Sequence, residues 1–170
     1  MKKRPQAHEY GAFYQTYVSK VGQDDVLQAL QEGQHATLAF FKNLPAEKWD
    51  YRYAPGKWSI KELLQHVVDG ERVFAYRALR IARNDRTPLP GFDENDYAAA
   101  SHADLRTPES LMAEYEAVRT ATVLMYHSFT EEDLGRIGTA SNYPASPLAI
   151  GFIIAGHEQH HIGVIKERYL

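Results

Sequence analysis

At 170 residues and a formal net charge of −3, the chain has the size of one domain and no basic excess that would favour nucleic acid or an anionic membrane. Apolar residues make up 44 % and charged residues 24 %, a soluble globular balance able to build a core without staples. Cysteine is absent and histidine occurs eight times, which excludes disulfides, thiol nucleophiles and Cys-based zinc sites and makes imidazole the foremost metal ligand or acid–base group.

The start, Met1-Lys2-Lys3-Arg4-Pro5, is basic, but no apolar region follows it, so a signal peptide is not expected. The longest apolar run, Ala149 to Ala155, is too short to span a bilayer. The expectation is one cytoplasmic domain over residues 1–170, with no membrane and no nucleic-acid partner. Residues 1–22 hold Tyr10, Phe13, Tyr14 and Tyr17, too many aromatics for a solvated tail, and should pack on the rest.

Four segments carry helical periodicity. The first runs from about Asp24 to Lys42, with Leu27, Leu30, Leu38 and Phe41 as its stripe, and Asn43-Leu44-Pro45 ends it. The second opens with Ser59-Ile60-Lys61-Glu62, a capping box flanked by Trp58 and Leu63 at the staple positions. It continues to about Arg83 with Leu63, Leu64, Val67, Phe74, Ala78 and Ile81 inward. The third starts at Thr107-Pro108 and carries Leu111, Tyr115, Val118, Thr122 and Met125 as its stripe; the fourth starts at Ser146-Pro147 and reaches about Arg168. No segment alternates well enough to be a strand. The fold class is all-α, a four-helix bundle. The link from Asn84 to Arg106 is long, so it either carries the chain back along the bundle or is a functional loop. Its turn formers and aromatics suit an ordered connection over one bundle end.

The sharpest chemical signal is Gly156-His157-Glu158-Gln159-His160-His161. His157 and His161 stand at i and i+4, one turn apart on the most apolar arc of the fourth helix, with Ile150, Ile153, Ile154, Val164 and Ile165. Two imidazoles there need partners, because an unpaired buried polar group costs on the order of 1–3 kcal/mol. A divalent metal would satisfy both; hydrogen bonds to neighbours would be the blander solution. A third ligand must come from elsewhere, and His66, at the border of the second helix's inward stripe, is the best placed. Three neutral imidazoles leave a position open for water, as in catalytic rather than structural sites. All-imidazole ligation suits zinc, nickel, iron or copper. His160 falls at the edge of the stripe, beside the cluster or at the surface.

His157-Glu158-x-x-His161 also fits a metalloprotease pattern. Val164 and Glu167 stand where its extended form wants glycine and histidine, and no substrate-binding strand is read, so that class is set aside. Glu158 remains a candidate general base for a metal-bound water, and Asp69, one turn after His66, a candidate carboxylate orienting that imidazole; for both, a solvated charge is the simpler role. Gln34 occupies the centre of the first stripe, where an apolar residue is expected. It either lines the polar end of the metal cavity or is turned outward. Arg77, Arg80 and Arg83 form a basic strip able to bind an anion, with a solvated face the simpler reading. No glycine-rich phosphate loop and no G-x-S-x-G elbow occurs.

Pro55-Gly56-Lys57-Trp58-Ser59-Ile60-Lys61-Glu62, with His66 seven residues after the serine, resembles the DinB/YfiT-like superfamily of small bacterial metal-binding bundles. So do Phe74 to Arg83, the Pro88-to-Tyr97 loop and the closing His157-x-x-x-His161. The resemblance covers nearly the whole chain. It implies one DinB-like domain with an up-down-down-up bundle, a metal on His66, His157 and His161, and a homodimer. It implies a metal-dependent hydrolase acting on a small molecule. Related branches transfer low-molecular-weight thiols or isomerise substrates with a thiol cofactor, so a thiol S-transferase using an external bacillithiol- or glutathione-type thiol is the alternative, and a non-enzymatic metal- or ligand-binding module the third. The absence of cysteine suits a thiol supplied from outside.

Overall fold

Each long helix begins where a side chain can satisfy its first free N–H groups. Asp25 accepts from the Gln28 N–H at 2.9 Å and starts α2 (Val26–Lys42), after the single turn α1 (Gln15–Val18). Ser59 accepts from the Glu62 N–H at 3.1 Å while Glu62 accepts from the Ser59 N–H at 2.8 Å, so the capping box is formed and starts α3 (Ile60–Ala82). Thr107 caps α5 (Pro108–His127) at 3.2 Å, after the short α4 (Glu94–Ala100). Ser146 caps α7 (Pro147–Arg168) at 3.0 Å, after the short α6 (Glu131–Gly135). This computed structural model describes residues 4–170, and the first three residues of the leader lie outside the described residues. Among the described residues no helix is long and apolar enough to cross a membrane.

Side-chain contacts give the helix directions. Tyr169, after the end of α7, donates to the carbonyl of Trp58, just before α3, while His66 meets His157, so α3 and α7 are antiparallel. Arg106 reaches Gln65, Arg72 reaches Glu114 and Arg119 reaches Glu71, so α3 and α5 run parallel. Thr37 meets Glu158 and Lys166 lies over Phe40, so α2 and α7 run parallel. The bundle is therefore up-down-down-up. The long Asn84–Arg106 link makes this possible, because parallel neighbours need a connection that travels the length of the bundle.

The short helices α1, α4 and α6 and a hairpin escape the sequence pattern. β1 (Gly138–Ala140) and β2 (Tyr143–Ala145) form a small antiparallel hairpin, turned at Ser141 and Asn142 with φ of 51° and 67°. Three residues per strand are too few to show alternation, and Pro144 counts against a strand except at an edge. The hairpin is held by its surroundings: Leu89 N–H donates to the Thr139 carbonyl at 2.9 Å and Ser146 N–H to the Glu9 carbonyl at 3.0 Å. It ties the leader and the α3–α4 link to the base of α7.

The leader packs across α7. The guanidinium of Arg4 donates to the carbonyls of Val18, Val21 and Gln23 and lies 5.0 Å from the Phe152 ring centroid. A Cβ at Gly156 would stand 2.1 Å from the Tyr17 carbonyl oxygen, so only glycine lets α1 press this closely on the α7 backbone.

The third stripe is rotated from expectation. Val118 and Met125 are half-buried, and Arg119 occupies the centre instead, fully buried with Tyr115, Thr122, Val123 and Tyr126. A charged residue at that position misleads a periodicity count, because the count treats charge as a mark of the outer face.

Candidate metal centre

The three histidines come together. His66 Nε2 lies 2.9 Å from His157 Nε2, and His161 Nε2 lies 3.0 Å from the same atom. A ligand atom from each falls within 4.8 Å of the others. α7 supplies His157 and His161 from successive turns, and α3 supplies His66 from the antiparallel neighbour. His66 and His157 are buried and His161 is half-buried. Burial pushes His66 down to about 4 and His161 down to about 3, and holds His157 well below the usual imidazole range, with the neighbouring histidines adding to the last two shifts. The rings are therefore neutral near pH 7, with lone pairs free.

Neutral rings do not satisfy one another here. A nitrogen of a neutral imidazole is either a donor or an acceptor. His157 Nε2 faces two other ring nitrogens, and with either its single proton or its single lone pair it can make only one well-directed hydrogen bond of the two. A cation among the three nitrogens is matched by all three lone pairs at once, and the donor set fits a divalent transition ion.

Around the cluster lies a cavity of about 380 Å³, partly open to solvent. Its walls are aromatic. The Trp58 ring packs on His66 at 4.8 Å between centroids, Tyr17 on His157 at 5.3 Å, and Phe74 on His157 at 5.9 Å. Phe13 and Tyr14 from the leader and Phe92 from the long link complete the apolar lining. The polar members besides the histidines are Arg77, Glu94 and Ser141.

Several expected site residues stand elsewhere. Glu158 does not turn toward the cavity. It is 1 % exposed and accepts from Arg119 Nη1 and Nη2, both at 2.9 Å, from the Tyr115 hydroxyl at 2.6 Å and from Thr37 at 3.3 Å. One residue of helix is about a 100° turn, which puts Glu158 toward α2 and α5 while His157 faces α3. Glu71 is the second carboxylate on Arg119, at 2.9 and 3.1 Å from its Nε and 2.9 Å from its Nη2. With the Leu30 carbonyl at 3.1 Å, all five guanidinium N–H groups are used. Burial opposes the Arg119 charge, but the two carboxylates outweigh it and hold the group firmly protonated.

Asp69 accepts from Gln65 at 2.9 Å and faces Arg72, and it makes no hydrogen bond to His66. Gln34 turns to α5, donating to the Glu116 carbonyl at 3.2 Å and to Thr120 at 3.0 Å, so it lines no metal cavity. The inward slot of α2 belongs to Gly33, where a Cβ would stand 2.2 Å from Glu158 Oε1. That slot is kept small for the buried carboxylate. His160 is half-buried at the cluster's edge, its ring 5.0 Å from His161 and 5.4 Å from Tyr17.

Other members of the cavity have a different part from the simpler one the sequence suggests. Of the basic strip, Arg80 pairs with Asp85 and Arg83 is exposed, but Arg77 is buried and faces the cavity. The signal was present: Gly70, Phe74 and Arg77 follow His66 at i+4, i+8 and i+11, all on one face of a helix. Trp58 serves as the wall beside His66. Glu94 reaches the cavity from the long link, where no periodicity could place it.

A four-helix bundle with three histidines converging in an aromatic cavity defines a candidate single-ion metal protein. The family model of the DinB superfamily matches residues 29–165, and the chain belongs to that superfamily. A relative from Oceanobacillus iheyensis named "Putative metal-dependent hydrolase" is 25 % identical over 169 residues, covering 94 % of this chain and 83 % of its own. A Bacillus licheniformis relative of the same name is 25 % identical over 143 residues, covering 81 % and 79 %. Among solved structures, YfiT from Bacillus subtilis, described as a probable metal-dependent hydrolase with an unusual four-helix bundle topology, superposes with a TM-score of 0.74 at 15 % identity over 96 % of this chain and 90 % of its own. The mycothiol-dependent maleylpyruvate isomerase superposes with a TM-score of 0.65 at 11 % identity over 81 % and 58 %. At these identities the likeness to the solved structures concerns the fold.

Proposed function

We propose that the protein is a metal-dependent enzyme of hydrolase type, with His66, His157 and His161 holding one divalent transition ion, zinc, nickel or iron, and a small-molecule substrate in the adjoining cavity. The convergence of three neutral Nε2 atoms carries this reading. Such an ion, when bound, lowers the pKa of a coordinated water toward about 7 and polarises a carbonyl. The chain's own residues do the rest. Burial keeps the imidazoles unprotonated, and the α3–α7 pairing fixes their spacing. Trp58, Tyr17 and Phe74 exclude bulk water from the cluster's flanks. With Glu158 held by Arg119, Glu94 is the carboxylate in the cavity able to take a proton. The family's names support this reading, since the curated relatives are named as metal-dependent hydrolases.

The second reading is a thiol S-transferase with an external thiol. The fold likeness to a mycothiol-dependent enzyme favours it, and so does the absence of cysteine from the chain. Zinc-loaded protein separates the two. For the hydrolase, simple ester or amide probes are turned over, chelation abolishes turnover and zinc restores it. Metal-dependent thermal stabilisation by bacillithiol or glutathione, without ester or amide turnover, overturns the hydrolase in favour of the transferase.

A further inference from the structure

Arg77 is 3 % exposed and lines the same cavity as the three histidines. Its Nη2 donates to the Pro90 carbonyl at 2.6 Å and to Ser141 Oγ at 2.9 Å. Tyr14 lines the same cavity; burial raises its hydroxyl above the usual phenol range and the nearby Arg77 charge partly offsets that rise. Its guanidinium stands 5.8 Å from the Phe74 ring centroid and 6.0 Å from that of Phe92. Every one of these partners is neutral. Arg119, the other arginine buried this deeply, is met by two carboxylates, whereas among the described residues no Asp or Glu forms an ion pair with Arg77. A buried charge with no carboxylate in direct contact is costly, and a protein that keeps one beside a cavity gains if a ligand supplies the paired anion.

We propose that Arg77 is an anchor for a ligand carboxylate, and that the cavity takes small monocarboxylates whose apolar spacer runs along Gly70 and Phe74 toward the histidine cluster. Eleven residues separate His66 from Arg77, a rise of about 16 Å, and the arginine side chain leans back toward the helix N-terminus. The cavity therefore has a cationic end, an aromatic middle and an imidazole end. A guanidinium fork matches a carboxylate in a bidentate way. Glu94 shares the cavity, and its carboxylate disfavours a second anionic group on the ligand. The anion subsite stands on Arg77 alone; the assignment of the ligand's far end to the reacting centre rests on the function proposed above.

The test uses the full chain, metal-free and zinc-loaded, titrated calorimetrically with 3-phenylpropionate and with its neutral isostere 3-phenylpropionamide. The carboxylate should bind wild type more tightly than the amide in both preparations. Arg77→Gln should weaken carboxylate binding by roughly tenfold to a hundredfold and leave amide binding unchanged. Arg77→Lys keeps the charge and should retain part of the preference, which guards against a folding defect in the glutamine variant. Equal binding of acid and amide to wild type overturns the proposal. So does carboxylate binding that survives Arg77→Gln but disappears in metal-free protein, since the acid would then sit on the ion. If no zinc binds and the Arg77-dependent preference persists, the anion subsite stands and the metal reading falls.

Discussion

Desolvation is what makes the imidazole cluster a pH-sensitive element. His66 and His161 titrate near 4 and 3 in the folded protein, against about 6.5 for an unfolded histidine. The unfolded chain therefore binds more protons than the folded one over that window, and stability rises with pH there. The cluster's contribution to the stability of metal-free protein should be fully present above pH 6.5 and be lost progressively as pH falls from 6.5 toward 3. Urea unfolding at a series of pH values checks this, and a His66→Phe/His161→Phe variant should show a flatter profile. A profile identical in wild type and variant would remove the cluster from the account. At the same scale, Gln34→Leu should leave metal binding unchanged and alter stability by no more than about 1 kcal/mol, because it removes only part-exposed hydrogen bonds to Glu116 and Thr120. Individual residues were legible where type and spacing agree: the i, i+4 pair on an apolar arc identifies His157 and His161, and a border position identifies His66. The burial of Glu158 and Arg77 was not, because periodicity assigns charged residues to the outer face and contains nothing about the partners that let a charge be buried.

At the scale of elements, two devices hold the site. The first is the α3–α7 pairing that brings His66 to His157 and His161. The second is the ion network at the centre of the bundle, where Arg119 of α5 joins Glu71 of α3 and Glu158 of α7. Its three members are at most 2 % exposed, so removing the arginine strands two carboxylates in the core. Arg119→Met should cost about 3–5 kcal/mol of stability in denaturant unfolding, far more than a surface arginine would. Because Glu158 follows His157 on α7, the same variant should also weaken metal binding. Helix starts were legible in the sequence because capping chemistry is local: Ser59, Thr107 and Ser146 each cap as their neighbours predict. The hairpin was not, since its strands are three residues each and are braced by Leu89 and Glu9, which are distant in sequence.

For the whole molecule, helix directions follow from one connection. The Asn84–Arg106 link lets α3 and α5 run parallel, and on its way it lays Phe92 and Glu94 over the cavity. The leader does the same from the other side with Phe13, Tyr14 and Tyr17. Bundle class and aromatic packing were thus readable from composition and period, while the shape of the cavity depends on irregular segments that carry no period. An ion held between α3 and α7 as proposed would bind the folded chain in preference to the unfolded one, and would add up to about 2.7 kcal/mol of stability at a hundredfold excess over its dissociation constant. The most direct measurement is calorimetric titration of zinc into metal-free protein at pH 7.5. Wild type and His160→Ala should each bind one equivalent, and His66→Ala, His157→Ala and His161→Ala should bind none stoichiometrically. Undiminished one-to-one binding in His66→Ala, or no binding by wild type, would contradict the account.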